Sequence, residues 1–188
     1  MKAPVGLFSL QVLPLHPVFV NIIPSGFRST PTRENPMLKT DLIHPEILGI
    51  LATAGHHAKI LIADANYPAP TKLGPNADVV YLNLAPGILS VAQVLKTILA
   101  VHPVEEAVIM GPLREDPAIA GYAPDWEPPV WEDYRAVFAA SDQDQEMKVI
   151  DKWAYYEYVE TPDHILTIQT GEQEMYANIC LATGVRKS

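Results

Sequence analysis

The chain has 188 residues, 48% of them hydrophobic and 19% charged, with a formal net charge of −9. That length fits one domain, or one domain plus an appendage, and the apolar share supports a sizeable core. An acidic chain without a basic patch argues against nucleic-acid binding, which needs clustered Lys and Arg to displace counterions.

Residues 1–36 differ from the rest. They hold six of the 18 prolines and four charged residues, Lys2, Arg28, Arg33 and Glu34. Prolines at 4, 14, 17 and 24 interrupt every apolar stretch there, so neither a long helix nor a membrane span is expected. Met37 is the expected start, with residues 1–36 as translated upstream sequence or a poorly ordered arm.

From Met37 the pattern is orderly. Pro45 and Glu46 suit the first turn of a helix, and Ile47, Leu48, Ile50 and Leu51 follow at helical spacing. Gly55 is a natural stop, which leaves His56 just outside the helix. Lys59 to Ala63 is short, continuous and apolar, as a buried strand is. A loop with Asn66, Pro68, Pro70, Gly74 and Pro75 follows, and then a short strand near Val79–Leu82. Ser90 caps a second helix reaching about Ala100, with Val91, Val94, Leu95, Ile98 and Leu99 inward.

Ala107 to Met110 reads as another buried strand, and residues 111–128 as a long surface loop. Trp131, Tyr134, Val137 and Phe138 form the stripe of a third helix. Val149–Ile150 is a brief strand, and Trp153 to Val159 an aromatic helix that stops before Pro162. Ile165–Ile168 and Ile179–Ala182 are the last strands. The single cysteine, Cys180, lies in that final apolar run and reads as a small core residue. It excludes an intramolecular disulfide and fits a reducing, cytoplasmic setting.

Alternating helices and strands predict an α/β fold, a three-layer sandwich with a mixed, mostly parallel sheet and helices on both faces. The last two strands lack a helix between them, so part of the sheet is expected to be antiparallel. A charged share below the usual quarter hints at surface buried in an oligomer. There is no phosphate-loop motif and no Gly-x-Gly-x-x-Gly.

Several polar residues stand where apolar segments end, the place where α/β sheets bind ligands. His56 reads either as an acid–base group or as a solvent-facing cap on a helix C-terminus. His57 reads as the latter. Asp64 follows four apolar residues, and its carboxylate either caps a turn or faces a pocket. Tyr176 offers a phenol and Asn178 an amide that bonds a sugar hydroxyl as donor or acceptor; turn chemistry before a strand is the other reading. Tyr155 and Tyr156 lie in the aromatic stretch, at least one of them expected in the core. No metal is expected, because adjacent histidines seldom converge on one ion and no His-x-x-x-His spacing occurs. His16, His44, His102 and His164 neighbour Pro or Asp and are expected to be structural residues of loops.

Taken together, these segments resemble the L-fucose mutarotase / D-ribose pyranase family of sugar-anomer isomerases. The resemblance runs in order through Met-Leu-Lys-Thr from Met37, His-Pro-Glu-Ile-Leu from His44 and Gly55-His56. It continues through Asp-Ala-Asn-Tyr-Pro from Asp64, Lys-Trp-Ala-Tyr-Tyr-Glu from Lys152 and Thr-Gly-Glu…Tyr-Ala-Asn-Ile from Thr170. It implies that His56 is the catalytic histidine, helped by Tyr176 or Tyr156. Asp64, Lys152, Tyr155, Tyr176 and Asn178 would bind the sugar. Lys152 departs from the arginine of the fucose type and the histidine of the ribose type, losing a planar fork while keeping a charge.

The fucose branch looks closer. A homodecameric ring with sites near subunit boundaries is implied, as is a reaction without cofactor or metal. Two alternatives stand beside an enzyme: a non-catalytic monosaccharide-binding accessory of uptake, and a structural oligomer whose pocket has drifted.

Overall fold

A computed structural model describes residues 38–186, residue 144 apart. The expected extension over residues 1–36 lies outside the described residues. The elements in chain order are α1 (Pro45–Thr53), β1 (Lys59–Ala63), β2 (Asp78–Tyr81), α2 (Val91–Leu99), β3 (Val104–Gly111), α3 (Val130–Ala140), β4 (Met147–Asp151), α4 (Lys152–Val159), β5 (His164–Gln169) and β6 (Ile179–Thr183). A short 3₁₀ turn, Pro117–Ile119, interrupts the long loop after β3.

The caps explain the helix starts. His44 Nδ1 accepts the Ile47 N–H, and Pro45 occupies the first turn of α1. Ser90 and Gln93 form a reciprocal capping box on α2. Asp151 ends β4 and caps α4 at once, its Oδ1 accepting from the N–H groups of Trp153 and Ala154. With no residue to spare between strand and helix, Lys152 is fixed at the first position of α4.

The six strands run in the order β2-β5-β1-β6-β3-β4. β1 pairs with β5, β5 with β2, and β3 with β4, all in parallel. β6 lies between β1 and β3 and is antiparallel to both. Five strands therefore point one way and one points back, the mixed, mostly parallel sheet that was expected. The antiparallel pairing is not a β5–β6 hairpin, because β1 separates those two strands.

Strand alternation builds two cores. Ile60, Ile62, Ala107, Ile109, Ile179 and Leu181 face α1, α2 and α3. Leu61, Val108, Met110 and Cys180 face the other way, against Tyr155 and Val159 of α4 and Ile119 of the long loop. Ile60 and Ile62 are fully buried, each side chain contributing about 1.5–3 kcal/mol relative to exposure.

The expected loop position of His16 lies outside the described residues; among the described histidines, His164 is the one whose expected place needs correction. It begins β5 rather than lying in a loop, and it is buried. Its Nδ1 accepts the Gly74 N–H at 3.1 Å, and its Nε2 faces the Leu166 carbonyl at 3.0 Å. Burial pulls its pKa down to about 4, so the ring is neutral and ties two chain segments together. Among the described residues no helix is long and apolar enough to cross a membrane.

Candidate functional site

The end of β1 is held by its neighbours. The Thr170 hydroxyl and amide both donate to the Ala63 carbonyl at 2.9 Å. Gly171 lies against the Ala85 and Ile88 carbonyls, where any Cβ would collide with them. The turn before β6 is anchored from α3, with the Tyr134 hydroxyl donating to the Ala177 carbonyl at 2.7 Å and Trp131 Nε1 to that of Tyr176 at 3.4 Å. Tyr176 itself has a φ of 61°, a left-handed conformation that swings the chain into β6.

Because β6 runs against the others, its first residues meet the C-terminal ends of β1 and β3, and β4 ends beside β3. A cleft of about 140 Å³ opens there, lined by Asp64, Asn66, Tyr67, Met110, Asp116, Ala118, Lys152, Tyr156, Met175, Tyr176 and Asn178. Pockets for drug-sized ligands run to about 300–1,000 Å³, so this cleft suits a small polar molecule. A larger groove of about 580 Å³ lies between α2 and α3. It is lined by alanines and Val137 with carboxylates and Lys96 at its rim, and it brings no imidazole or phenol together.

Two hydrogen-bonded groups face each other across the cleft. On one side, Asn178 Nδ2 donates to Asp64 Oδ2 at 2.8 Å, and the Asp64 N–H returns a bond to Asn178 Oδ1 at 3.0 Å. Asp64 Oδ1 accepts the Asn66 N–H at 2.9 Å. The carboxyl is almost wholly buried, and desolvation raises its pKa to about 6 against the pull of those bonds. On the other side, the Tyr176 hydroxyl donates to Asp116 Oδ2 at 2.7 Å, and Lys152 Nζ donates to the same oxygen at 3.1 Å. Asp116 Oδ1 accepts the Ala118 N–H at 3.0 Å.

These bonds, led by the Ala118 amide, hold the Asp116 carboxyl down at about 2. Burial, reinforced by the bond to Asp116, raises the Tyr176 phenol to about 12. The cleft thus joins an ionised carboxylate, a cation, a protonated phenol and a carboxyl that titrates just below neutrality. Tyr156, half-buried between Tyr67 and Trp153, supplies an aromatic wall.

Asp64, Lys152, Tyr156, Tyr176 and Asn178, all named from the sequence, come together here. Tyr155 does not. It is fully buried between α4 and the sheet, and its hydroxyl has no hydrogen-bond partner among the described residues. The expected sugar contact by Tyr155 is therefore withdrawn: adjacent helix residues point about 100° apart, so Tyr156 lines the cleft and Tyr155 the core.

His56 is not in the cleft either. It precedes β1 while Asp64 follows it, and a five-residue strand separates them by about 16 Å. Its Nε2 lies 2.8 Å from Glu105 Oε2, near the start of β3. Asp116 is a site residue that sequence reasoning misses. It carries no local signal beyond an Asp-Pro step inside the long loop.

Known proteins resemble the chain along most of its length. A D-ribose pyranase of Variovorax paradoxus (strain S110) is 35% identical over 150 residues, covering 79% of this chain and 98% of the relative. A fucose mutarotase of Danio rerio is 27% identical over 150 residues, covering 77% of this chain and 90% of the relative. A crystal structure of the fucose mutarotase from Streptococcus pneumoniae in complex with L-fucose shares the fold. It has a TM-score of 0.61 at 24% identity and covers 77% of this chain and 95% of that one. The model of the RbsD / FucU transport protein family matches residues 37–186, and the chain belongs to that family.

Proposed function

We propose that the protein is a sugar mutarotase, interconverting the α and β anomers of a monosaccharide by opening and reclosing its ring. L-Fucose is the first substrate to test and D-ribose the second. The observation that carries this is the cleft itself, where Asp64–Asn178 faces the Lys152–Asp116–Tyr176 set across a space of monosaccharide scale.

The chemistry needs only proton transfer. A base takes the proton from the anomeric hydroxyl, an acid protonates the ring oxygen, and the C1–O bond breaks to give the open aldehyde. Rotation about the neighbouring bond presents the other carbonyl face, and the same groups run in reverse to close the ring. Tyr176 is protonated at neutral pH and stands beside an ionised carboxylate, which suits it to pass a proton. Asp64 and Asn178 offer acceptors and a donor for hydroxyls. Lys152 supplies a point charge where an arginine would supply a fork.

In this reading His56 carries the main proton traffic, with Tyr176 or Tyr156 assisting. From the opposite end of β1, His56 can serve only the cleft of another copy. That requirement supports a homo-oligomer with sites at subunit boundaries, the decameric ring of the family being the arrangement proposed. Such assembly is heterologous, each copy giving one end and receiving the other.

The family takes its name from transport, and this keeps a second reading in view: a monosaccharide-binding accessory of uptake that does not accelerate exchange. Saturation-transfer NMR between the anomeric protons of L-fucose, then D-ribose, separates the two. Acceleration by wild type and not by His56→Ala is the expected result. Ligand-induced stabilisation with no acceleration would replace the enzyme by the binding module.

A further inference from the structure

The strongest unassigned feature lies at the other end of the sheet. Consecutive side chains on extended backbone point to opposite faces, yet His56 and His57 lie side by side. Their ring centroids are 3.8 Å apart with planes inclined by 33°. The cause is His57, which sits at φ 67°, a region non-glycine residues seldom enter. Its backbone N–H is bonded to the Thr183 carbonyl at 3.0 Å, which anchors the turn to the end of β6.

Glu105 of β3 reaches both rings. Its Oε2 is 2.8 Å from His56 Nε2 and its Oε1 is 3.0 Å from His57 Nδ1. One donor atom from each of the three side chains lies within 4.8 Å of the others.

We infer that His56, His57 and Glu105 form a binding site for a divalent transition metal of the zinc class. Two imidazole nitrogens and one carboxylate oxygen, with a fourth position open, are a recurrent zinc donor set. Ligand atoms about 2.0–2.1 Å from a tetrahedral ion stand roughly 3.3 Å apart; each imidazole nitrogen already lies 2.8 or 3.0 Å from one oxygen of the carboxylate, and the three donor atoms lie within 4.8 Å of one another. Magnesium and calcium, which take oxygen ligands, do not match two imidazoles. All three residues are exposed on the single chain. No local pattern signals this site, because the adjacent histidines converge only through the left-handed turn and the third ligand lies 49 residues away.

The site has a consequence that rests on the proposed role of His56. A metal on Nε2 fixes the ring proton on Nδ1 and leaves the imidazole no free lone pair to act as a base. Zinc binding and anomer exchange at His56 then exclude each other.

The test is calorimetric titration of the metal-stripped full-length protein with zinc chloride in a non-coordinating buffer. The expected result is one zinc per chain, bound at least about tenfold more weakly by His57→Gly and by Glu105→Gln. Glycine is chosen because it adopts φ 67° without strain. Cobalt(II) in place of zinc is expected to show the visible absorption of a four-coordinate site in wild type and to lose it in both variants. Absence of binding by wild type, or equal affinity in the variants, overturns the site. In exchange assays, zinc is expected to inhibit wild type and to spare His57→Gly. Zinc bound through the three residues without inhibition would leave the metal site standing and count instead against His56 as the proton carrier.

Discussion

The two ends of β1 are built in opposite ways. At its C-terminal end Asp64 is almost wholly buried, both carboxylate oxygens are bonded, and Asn178, just before β6, closes against it. At its N-terminal end His56, His57 and Glu105 are exposed, and among the described residues their side chains bond only to one another. The first end is closed within one copy, where hydrogen bonds offset only part of the desolvation of the carboxyl. The second carries reactive groups that project outward, as a donor of chemistry to another surface would. On the proposed function, the difference means that the sheet separates binding from proton transfer along one strand and leaves assembly to reunite them.

That contrast can be broken most sharply at His56. His56→Ala is expected to lower the catalysed exchange rate by about 10²–10⁴-fold, the range for a positioned acid–base group. Asp64→Ala is expected to be inactive on its own. Mixed with His56→Ala and allowed to exchange copies, it is expected to recover about a quarter of the wild-type sites by random pairing across heterologous contacts. Saturation-transfer NMR measures both quantities, and a mixture no more active than its parts would remove the shared site.

Asp64 sharpens the comparison through stability. Its folded pKa of about 6 lies above the ordinary aspartate value. Its contribution to stability is therefore greatest below the unfolded pKa and is lost as pH rises through 6. Asp64→Asn removes that titration. Between pH 4 and pH 8 the stability difference is expected to move toward the variant by up to about 3 kcal/mol, because each tenfold change in proton affinity is worth about 1.4 kcal/mol. Urea unfolding at the two pH values checks it, and a difference independent of pH would mean that Asp64 is not desolvated as described.

Tyr176→Phe deletes the 2.7 Å bond to Asp116 and leaves the ring in place. About a 10²-fold loss of exchange is expected, with sugar binding little changed. A loss of binding alone, with exchange of the bound sugar preserved, would make Tyr176 a contact and not a proton donor. The smallest effect is expected at Lys152. Lys152→Arg restores a planar fork beside Asp116, and the ratio of exchange rates on L-fucose and D-ribose is expected to shift by about tenfold, or about 1.4 kcal/mol. An unchanged ratio would place sugar choice elsewhere in the cleft.

The strands and helices were legible because their causes are local. Caps at His44, Ser90 and Asp151, apolar spacing in α2, and continuous apolar runs in β1 and β6 act within a few residues. Asp64, Tyr176 and Asn178 were legible for a related reason: a polar group directly beyond a buried strand has few places to go. What the chain order alone determined was therefore the alternation of elements and the residues standing at their ends.

Tertiary structure decided which of those ends meet. The reversed direction of β6 brings Asn178 to Asp64, and only long-range contact brings Asp116 of the long loop to Lys152 and Tyr176. Helix rotation decided between Tyr155 and Tyr156, sending one into the core and one to the cleft. The sheet direction put His56 at the far end from the cleft. The left-handed turn at His57 then set both histidines against Glu105. Each of these depends on packing between segments tens of residues apart, where the free energy comes from burial and pairing that no local pattern encodes.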